Sequence, residues 1–378
     1  MTNTVLAISL SSFRSSPVCI RVSLWLYIVG NVECKYVIMV EGNVTKLLDG
    51  LSVEDNDDLC DFTLADQNEV VAAKGITPST PSDYTPITKS TVTYIVLAIL
   101  INEDDEFLMM QEAKSSCAGQ WYLPAGRIEP GENILEGVKR EVLEETGLEM
   151  EPTTLLGVEC ASKAWFRFVM TGNVVGGRLK TPADADSESL QAKWIKNISE
   201  VNLRANDIFP IIERGVAYHQ YLKTLQTAPA SSPIWHPNVL PVVREHKKLL
   251  LRLVVCVKQK SSNKIHVLVS EKTEAHLPLC EINHMKNLHS TLRKFMVEIF
   301  GADVPAHKPH GILNVEHDGK PTGKHDGFCM TILVSFRVPL EEVYPIDKYS
   351  WVAVSKDIGE RLISRLPRNL TVPLNVIR

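Results

Sequence analysis

The sequence predicts an α/β protein made of two consecutive units with the same order of strands and helices, the second a degenerate version of the first. Three observations carry this. The 378 residues exceed what one hydrophobic core organises, about 250 residues, so two or three domains are expected. Runs of β-branched and apolar residues alternate with segments of helical period. The pattern of residues 121–149 returns 154 positions later, in residues 275–303.

Residues 1–90 read as an N-terminal extension and linker, largely disordered. Residues 19–30 (CIRVSLWLYIVG) are apolar but too short to span a bilayer, which needs about 20 residues, and Arg21 interrupts them. Met39 opens a normal acidic cytosolic start, so the preceding stretch is expected to be dispensable. Residues 52–90 are acidic and then rich in Ser, Thr and Pro, the composition of a linker or disordered arm. The first unit, residues 91–228, starts with the buried strand TVTYIVLAILI. Asn102–Asp105 is a polar turn and EFLMMQ (106–111) the return strand of a hairpin. Residues 134–146 form a helix with Leu135, Val138, Val142 and Leu143 on one face, stopped by Gly147. Strands at about 155–160, 165–171 and 191–195 and a helix over 208–225 complete the unit.

A Pro- and Ser-containing linker, residues 229–240, leads to the second unit at 241–378. Its strands at 249–258 and 264–270 mirror the first pair. At the offset of 154, Leu123-Pro124 meets Leu277-Pro278, Val138 meets Leu292 and Gly147 meets Gly301. Trp194 has a partner in Trp351.

The net charge is −5 with no long basic run, which argues against binding a nucleic-acid polymer. A single nucleotide remains open, because bound cations can neutralise its phosphates. Eight cysteines form no C-x-x-C pair and no dense framework, so they read as reduced thiols of a cytoplasmic protein rather than a secreted or membrane one.

The chemistry concentrates in one run: Gly126, then Glu132, Arg140-Glu141-Val142, Glu144-Glu145 and Gly147-Leu148. On a helix, Glu141, Glu144 and Glu145 stand at i, i+3 and i+4 and share a face. Carboxylates that close repel one another unless a hard cation with a taste for oxygen, Mg²⁺ or Mn²⁺, lies between them. Such ions bind phosphate oxygens and activate water. Gly126 and Gly131 permit tight turns before the helix, and Arg140 can pair with Glu132 to hold its register. A Glu-rich helix ending in Gly is usually a solvated surface helix, but that reading does not require the upstream Gly, Glu and Arg at these spacings.

This run satisfies every fixed position of the Nudix box, G-x5-E-x7-R-E-U-x-E-E-x-G-U, where U is bulky and aliphatic. With QEAK (111–114), WYLPAGR (121–127), WFRFV (165–169), ESLQA (188–192) and LRANDI (203–208), the chain resembles the MutT-like branch of the Nudix superfamily. The resemblance implies a Nudix fold, an α/β/α sandwich with a mixed sheet, followed by a degenerate Nudix-like α/β unit. It also implies a hydrolase that converts oxidised purine nucleoside diphosphates, 8-oxo-dGDP and 8-oxo-GDP, to monophosphate and phosphate. It places the metal on Glu141, Glu145 and the carbonyl of Ala125, beside Gly126, with Glu144 as a further ligand or base. Glu188, six before Trp194, is the matching acidic residue outside the box, and Leu108 a nucleotide contact. Glu132, Arg140 and Gly147 are the structural members. Hydrolysis of another diphosphate, such as ADP-ribose or a sugar nucleotide, is the alternative; a non-catalytic nucleotide-binding module is a second.

The second unit departs from the pattern. Gly126, Glu132, Arg140, Glu141 and Glu145 meet Cys280, Lys286, Lys294, Phe295 and Ile299; of the box carboxylates Glu144 alone is matched, by Glu298. The second unit is therefore expected to be non-catalytic.

Overall fold

The computed structural model describes residues 36–54, 57–227 and 233–377; the apolar stretch 19–30 lies outside them. The first unit runs β1 (Thr93–Ala98), β2 (Phe107–Glu112), β3 (Trp121–Tyr122), β4 (Ala125–Arg127), α3 (Ile134–Thr146), β5 (Leu148–Ala161), β6 (Trp165–Gly177), β7 (Ser189–Ile195) and α4 (Phe209–Thr227). Two helices precede it, α1 (36–48) and α2 (Leu64–Ala72).

Strand β1 lies parallel to β6 and antiparallel to β4, in a mixed sheet that β5 extends. The strand at 91–101 and its return are both present, but they diverge. The amide of Leu108 donates to Leu100 O and Asn102 N to Glu106 O, closing the turn. Beyond it β2 leaves β1 and joins β3 and β7 in a separate three-stranded sheet. Both faces of β2 are buried, so its apolar run carries no signal of which neighbour it takes.

Helix α3 spans the predicted residues, with Asn133 as cap. The side chain of Asn133 accepts from Glu136 N, and Gly147 ends the helix in the left-handed conformation at φ 75°. Its buried face differs from the expected one. Ile134, Val138 and Val142 point inward together with Glu141 and Glu145, while Leu143 is exposed. The carboxylates therefore face the protein, not the solvent.

The second unit repeats the topology: β8 (His246–Lys258), β9 (Ile265–Ser270), β10 (Leu279–Glu281), α5 (Leu288–Phe300), β11 (His307–Glu316), β12 (Asp326–Phe336), β13 (Tyr349–Ala353) and α6 (Lys356–Ser364). β8 is parallel to β12 and antiparallel to β10, as β1 is to β6 and β4. β10 and α5 stand 154 residues after β4 and α3. Leu108 pairs with Trp194 across β2 and β7, and Leu268 pairs with Trp351 across β9 and β13.

The units share one core, in which Tyr94, Phe166 and Phe168 of the first pack against Phe328 of the second. The last strand, β14 (Leu374–Val376), belongs to the first unit's sheet, parallel to β5. Just before it, Val372 exchanges backbone hydrogen bonds with Ile312 of β11. The connector is also built in: Val239 O accepts from Leu155 N, and Val242 bonds Val315 and His317.

The stretch expected as a disordered arm is substantially ordered. Val40, Val44, Leu47 and Leu48 of α1 pack on Ile358 and Leu362 of α6. Residues 60–67 enter the second unit. Phe62 stacks on Phe295 at 6.3 Å between centroids, and Asp61 accepts from Leu279 N at 2.9 Å and faces His276 Nε2 at 3.2 Å. Polar composition argues for disorder only where no apolar partner exists; here the second unit supplies one. Among the described residues no helix is long and apolar enough to cross a membrane.

Candidate active site

The site lies where β4 faces α3. Gly126 has no room for a side chain, because a Cβ there would run into the Glu141 carboxylate. Only glycine lets strand and carboxylate approach this closely. One residue earlier, Ala125 N donates to Glu145 Oε2 at 2.8 Å, so the backbone of β4 meets two box glutamates in succession.

Arg140 organises the outer side. Its Nε and Nη2 grip Glu132 Oε1 and Oε2 at 2.6 and 2.9 Å, a bidentate pair. Nη2 also donates to Arg127 O, and Nη1 reaches Glu141 Oε1 and Glu144 Oε2, both at 2.9 Å. Glu132 takes a further bond from Glu129 N, which ties the preceding loop to the helix. Glu144 is the most open of the three helix carboxylates.

Burial governs the electrostatics. Glu145 is 2 % exposed, and burial pushes its carboxyl well above the usual range; the Ala125 N–H opposes this, and Glu141 adds to it. Burial also raises Glu141, against the pull of Arg140. One guanidinium, Arg140, is shared among Glu132, Glu141 and Glu144, so with Glu145 the carboxylates outnumber the positive charge that holds them; a divalent cation would supply the difference. The side chains fit such an ion. They are spread over Arg140 and Ala125 N here, as like charges would be, rather than drawn to one point.

Gly147 stands where the sequence places it, at the helix end, with the backbone at Arg178 too close for a side chain. Glu188 is half-buried; its amide donates to Asp186 Oδ1, and the next residue, Ser189, donates its hydroxyl to Glu145 O at 2.7 Å. Glu188 thus stands one residue before a side chain that bonds the end of α3. Leu108 does not line an open surface: it is 0 % exposed and part of the core. A nucleotide could meet it only after rearrangement. Sequence reasoning missed Lys180, whose Nζ donates to Glu144 O at 3.0 Å, and Glu112, buried at the end of β2. Neither stands at a recognisable spacing from the box; the QEAK run containing Glu112 was the one available signal.

In the second unit the positions equivalent to Gly126, Glu141 and Glu145 are apolar and closed. Phe295 and Ile299 are fully buried, and Cys280 is buried in β10. Glu298 pairs with Lys348 at 2.6 Å. Asp61 supplies the acceptor for Leu279 N that Glu145 supplies for Ala125 N.

Among the described residues, His246, Glu316 and Cys329 bring potential ligand atoms within 4.8 Å of one another. There the Arg252 guanidinium already sits 3.0 Å from Glu316, and Arg244 lies nearby. The positive charge a metal would bring is in place.

The NUDIX domain model matches residues 92–208, the stretch that holds the site. The chain belongs to the Nudix hydrolase family. It is 36 % identical over 300 residues to the proteins named 8-oxo-dGDP phosphatase NUDT18 from Mus musculus and Homo sapiens, covering 76 % of this chain and 88 % of each of those. The Danio rerio protein of that name is 35 % identical over 302 residues. Among solved structures, a NUDIX hydrolase from Nitrosomonas europaea is 29 % identical, with a TM-score of 0.29 over 37 % of this chain and 99 % of that one.

Proposed function

We propose that the chain hydrolyses oxidised purine nucleoside diphosphates, 8-oxo-dGDP and 8-oxo-GDP, to the monophosphate and phosphate. The observation that carries this is the 36 % identity to vertebrate proteins named for that activity, over 88 % of their length. The box geometry supports the chemistry.

In this reading Glu141, Glu145 and the carbonyl of Ala125 hold a divalent cation, Mg²⁺ or Mn²⁺, and Gly126 keeps the space open. When bound, the cation neutralises charge on the diphosphate and makes nearby water a stronger acid. Glu144, the open carboxylate, takes the proton from the attacking water. That water's oxygen bonds to phosphorus as the anhydride P–O bond breaks, and the leaving phosphate carries away the electron pair. Arg140 and Glu132 lock the carboxylates in register. Glu188, just before β7, assists Glu144 or the cation.

The six cysteines among the described residues whose state is defined are free thiols, which suits a reducing compartment such as the cytoplasm. The test is phosphate release from 8-oxo-dGDP, 8-oxo-GDP, dGDP, 8-oxo-dGTP and ADP-ribose with Mg²⁺ or Mn²⁺. Preference for the oxidised diphosphates is expected. Preference for ADP-ribose would replace this reading by another Nudix activity.

A further inference from the structure

Strand β2 brings one more carboxylate under the box. Glu112, its last residue, is 1 % exposed and stands opposite Ser189 in the register of β2 and β7. Ser189 reaches the carbonyl of Glu145 with its hydroxyl. Directly opposed residues of an antiparallel pair project to the same face, so Glu112 points to the side of the sheet that carries the end of α3. The two oxygens of Glu112 are treated differently. Oε1 accepts from Arg204 Nη1 at 2.5 Å. Oε2 is buried and has no hydrogen-bond partner. The negative charge of Glu112 is felt at Glu145.

Arg204 reaches one oxygen of Glu112 and leaves the other, buried one without a hydrogen-bond partner. Arg204 is itself partly exposed, stacked over the Tyr122 ring at 4.9 Å, and water could serve it. Arg204 compensates Glu112 on its Oε1 side only; Oε2, shut from solvent and without a hydrogen-bond partner, carries a desolvation cost that positive charge from a cation would offset.

We propose that Glu112 is a further carboxylate of the cation site, contributed by β2 from outside the box, with Oε2 turned to the ion that Glu145 holds, directly or through one water. This rests on the cation-dependent hydrolase reading above. It assigns to the strand a part in the site that the box motif does not contain.

The test is Mn²⁺ binding to the full chain, followed by the electron paramagnetic resonance signal of free Mn²⁺. Wild type, Glu112→Gln and Arg204→Gln are compared, with thermal unfolding alongside. Glu112→Gln keeps an acceptor for Arg204 and removes the charge; it is expected to weaken Mn²⁺ binding about 10-fold or more, as loss of an outer-sphere partner does. Arg204→Gln frees Oε1 and is expected to leave Mn²⁺ binding unchanged or tighter. Unchanged affinity in Glu112→Gln overturns the proposal, and so does equal weakening in both variants, which would make Glu112 only the anchor of Arg204. If Glu112→Gln does not fold, Glu112→Asp serves, read by the rise in melting temperature on adding Mn²⁺. A smaller rise than in wild type supports the proposal and an equal rise overturns it. A wild type that binds no Mn²⁺ overturns it as well. A wild type that binds Mn²⁺ but spares 8-oxo-dGDP removes the substrate reading and leaves the Glu112 comparison decisive.

Discussion

Gly126 and Glu141 show how one missing side chain sets the chemistry. Strand and carboxylate occupy the volume a Cβ would need, so Gly126→Ala is expected to push Glu141 off its place and lower turnover sharply, with KM for the cation rising. Cation titration of the activity checks this. Glu145→Gln removes one charge from the proposed ligand set while keeping the Ala125 N–H bond. Loss of a single preorganised electrostatic group costs about 10²–10³-fold in kcat, and a drop of that size is expected with a melting temperature unchanged or raised, since a buried carboxylate charge is removed. Glu316 contributes to the acid-side pH response of stability. Burial would push the Glu316 carboxyl up, but Arg252 and His246 outweigh it and hold it at about 2, against an ordinary 4.5. A carboxyl depressed in the folded state stabilises above its unfolded value and loses that contribution as pH falls through the folded one. Urea unfolding at stepped pH should therefore show stability falling between about 4.5 and 2. Glu316→Gln should flatten that part of the curve.

At the scale of elements, α3 was legible in the sequence to its bounds, because its signals are local. Asn133 and Glu136 form a capping box, Gly147 supplies the positive φ, and the carboxylate spacing is fixed by the helix. The inward turn of Glu141 and Glu145 was not legible. Hydrophobic spacing alone favours Leu143 on the buried side, and only the strand opposite explains why charge goes in instead. Strand β2 was read as a strand but not to its sheet, since a run buried on both faces does not name its partner; Glu112 was missed for the same reason. The Arg140–Glu132 pair holds loop to helix. Arg140→Ala leaves a half-buried Glu132 without its guanidinium, a loss of about 1–3 kcal/mol, readable by denaturant unfolding.

Over the whole molecule, the repeat was visible in the sequence, and the exchange between its halves was not. In the second unit Asp61 takes the acceptor role that Glu145 has in the first, and Phe62 stacks on Phe295, which stands at the Glu141 position; nothing local in an acidic stretch names a partner two hundred residues on. With that position filled and Glu298 paired to Lys348, Glu298→Ala is expected to leave hydrolysis of 8-oxo-dGDP unchanged, whereas Glu144→Ala reduces it strongly. Assay of both side by side checks the assignment of the chemistry to the first unit.

The strand β14 sets a timetable for synthesis. A ribosome makes the box helix and every other strand of the first sheet long before residues 374–376. Until those residues emerge, the β5 edge at Val158 and Cys160 keeps open the hydrogen bonds that β14 later fills. An open edge is a template for pairing with other chains. The nascent first unit must therefore wait, with one flank unprotected, for the arrival of a segment that lies beyond the entire second unit. Lesions that stop or misfold the second unit then reach the first without touching any residue of its site.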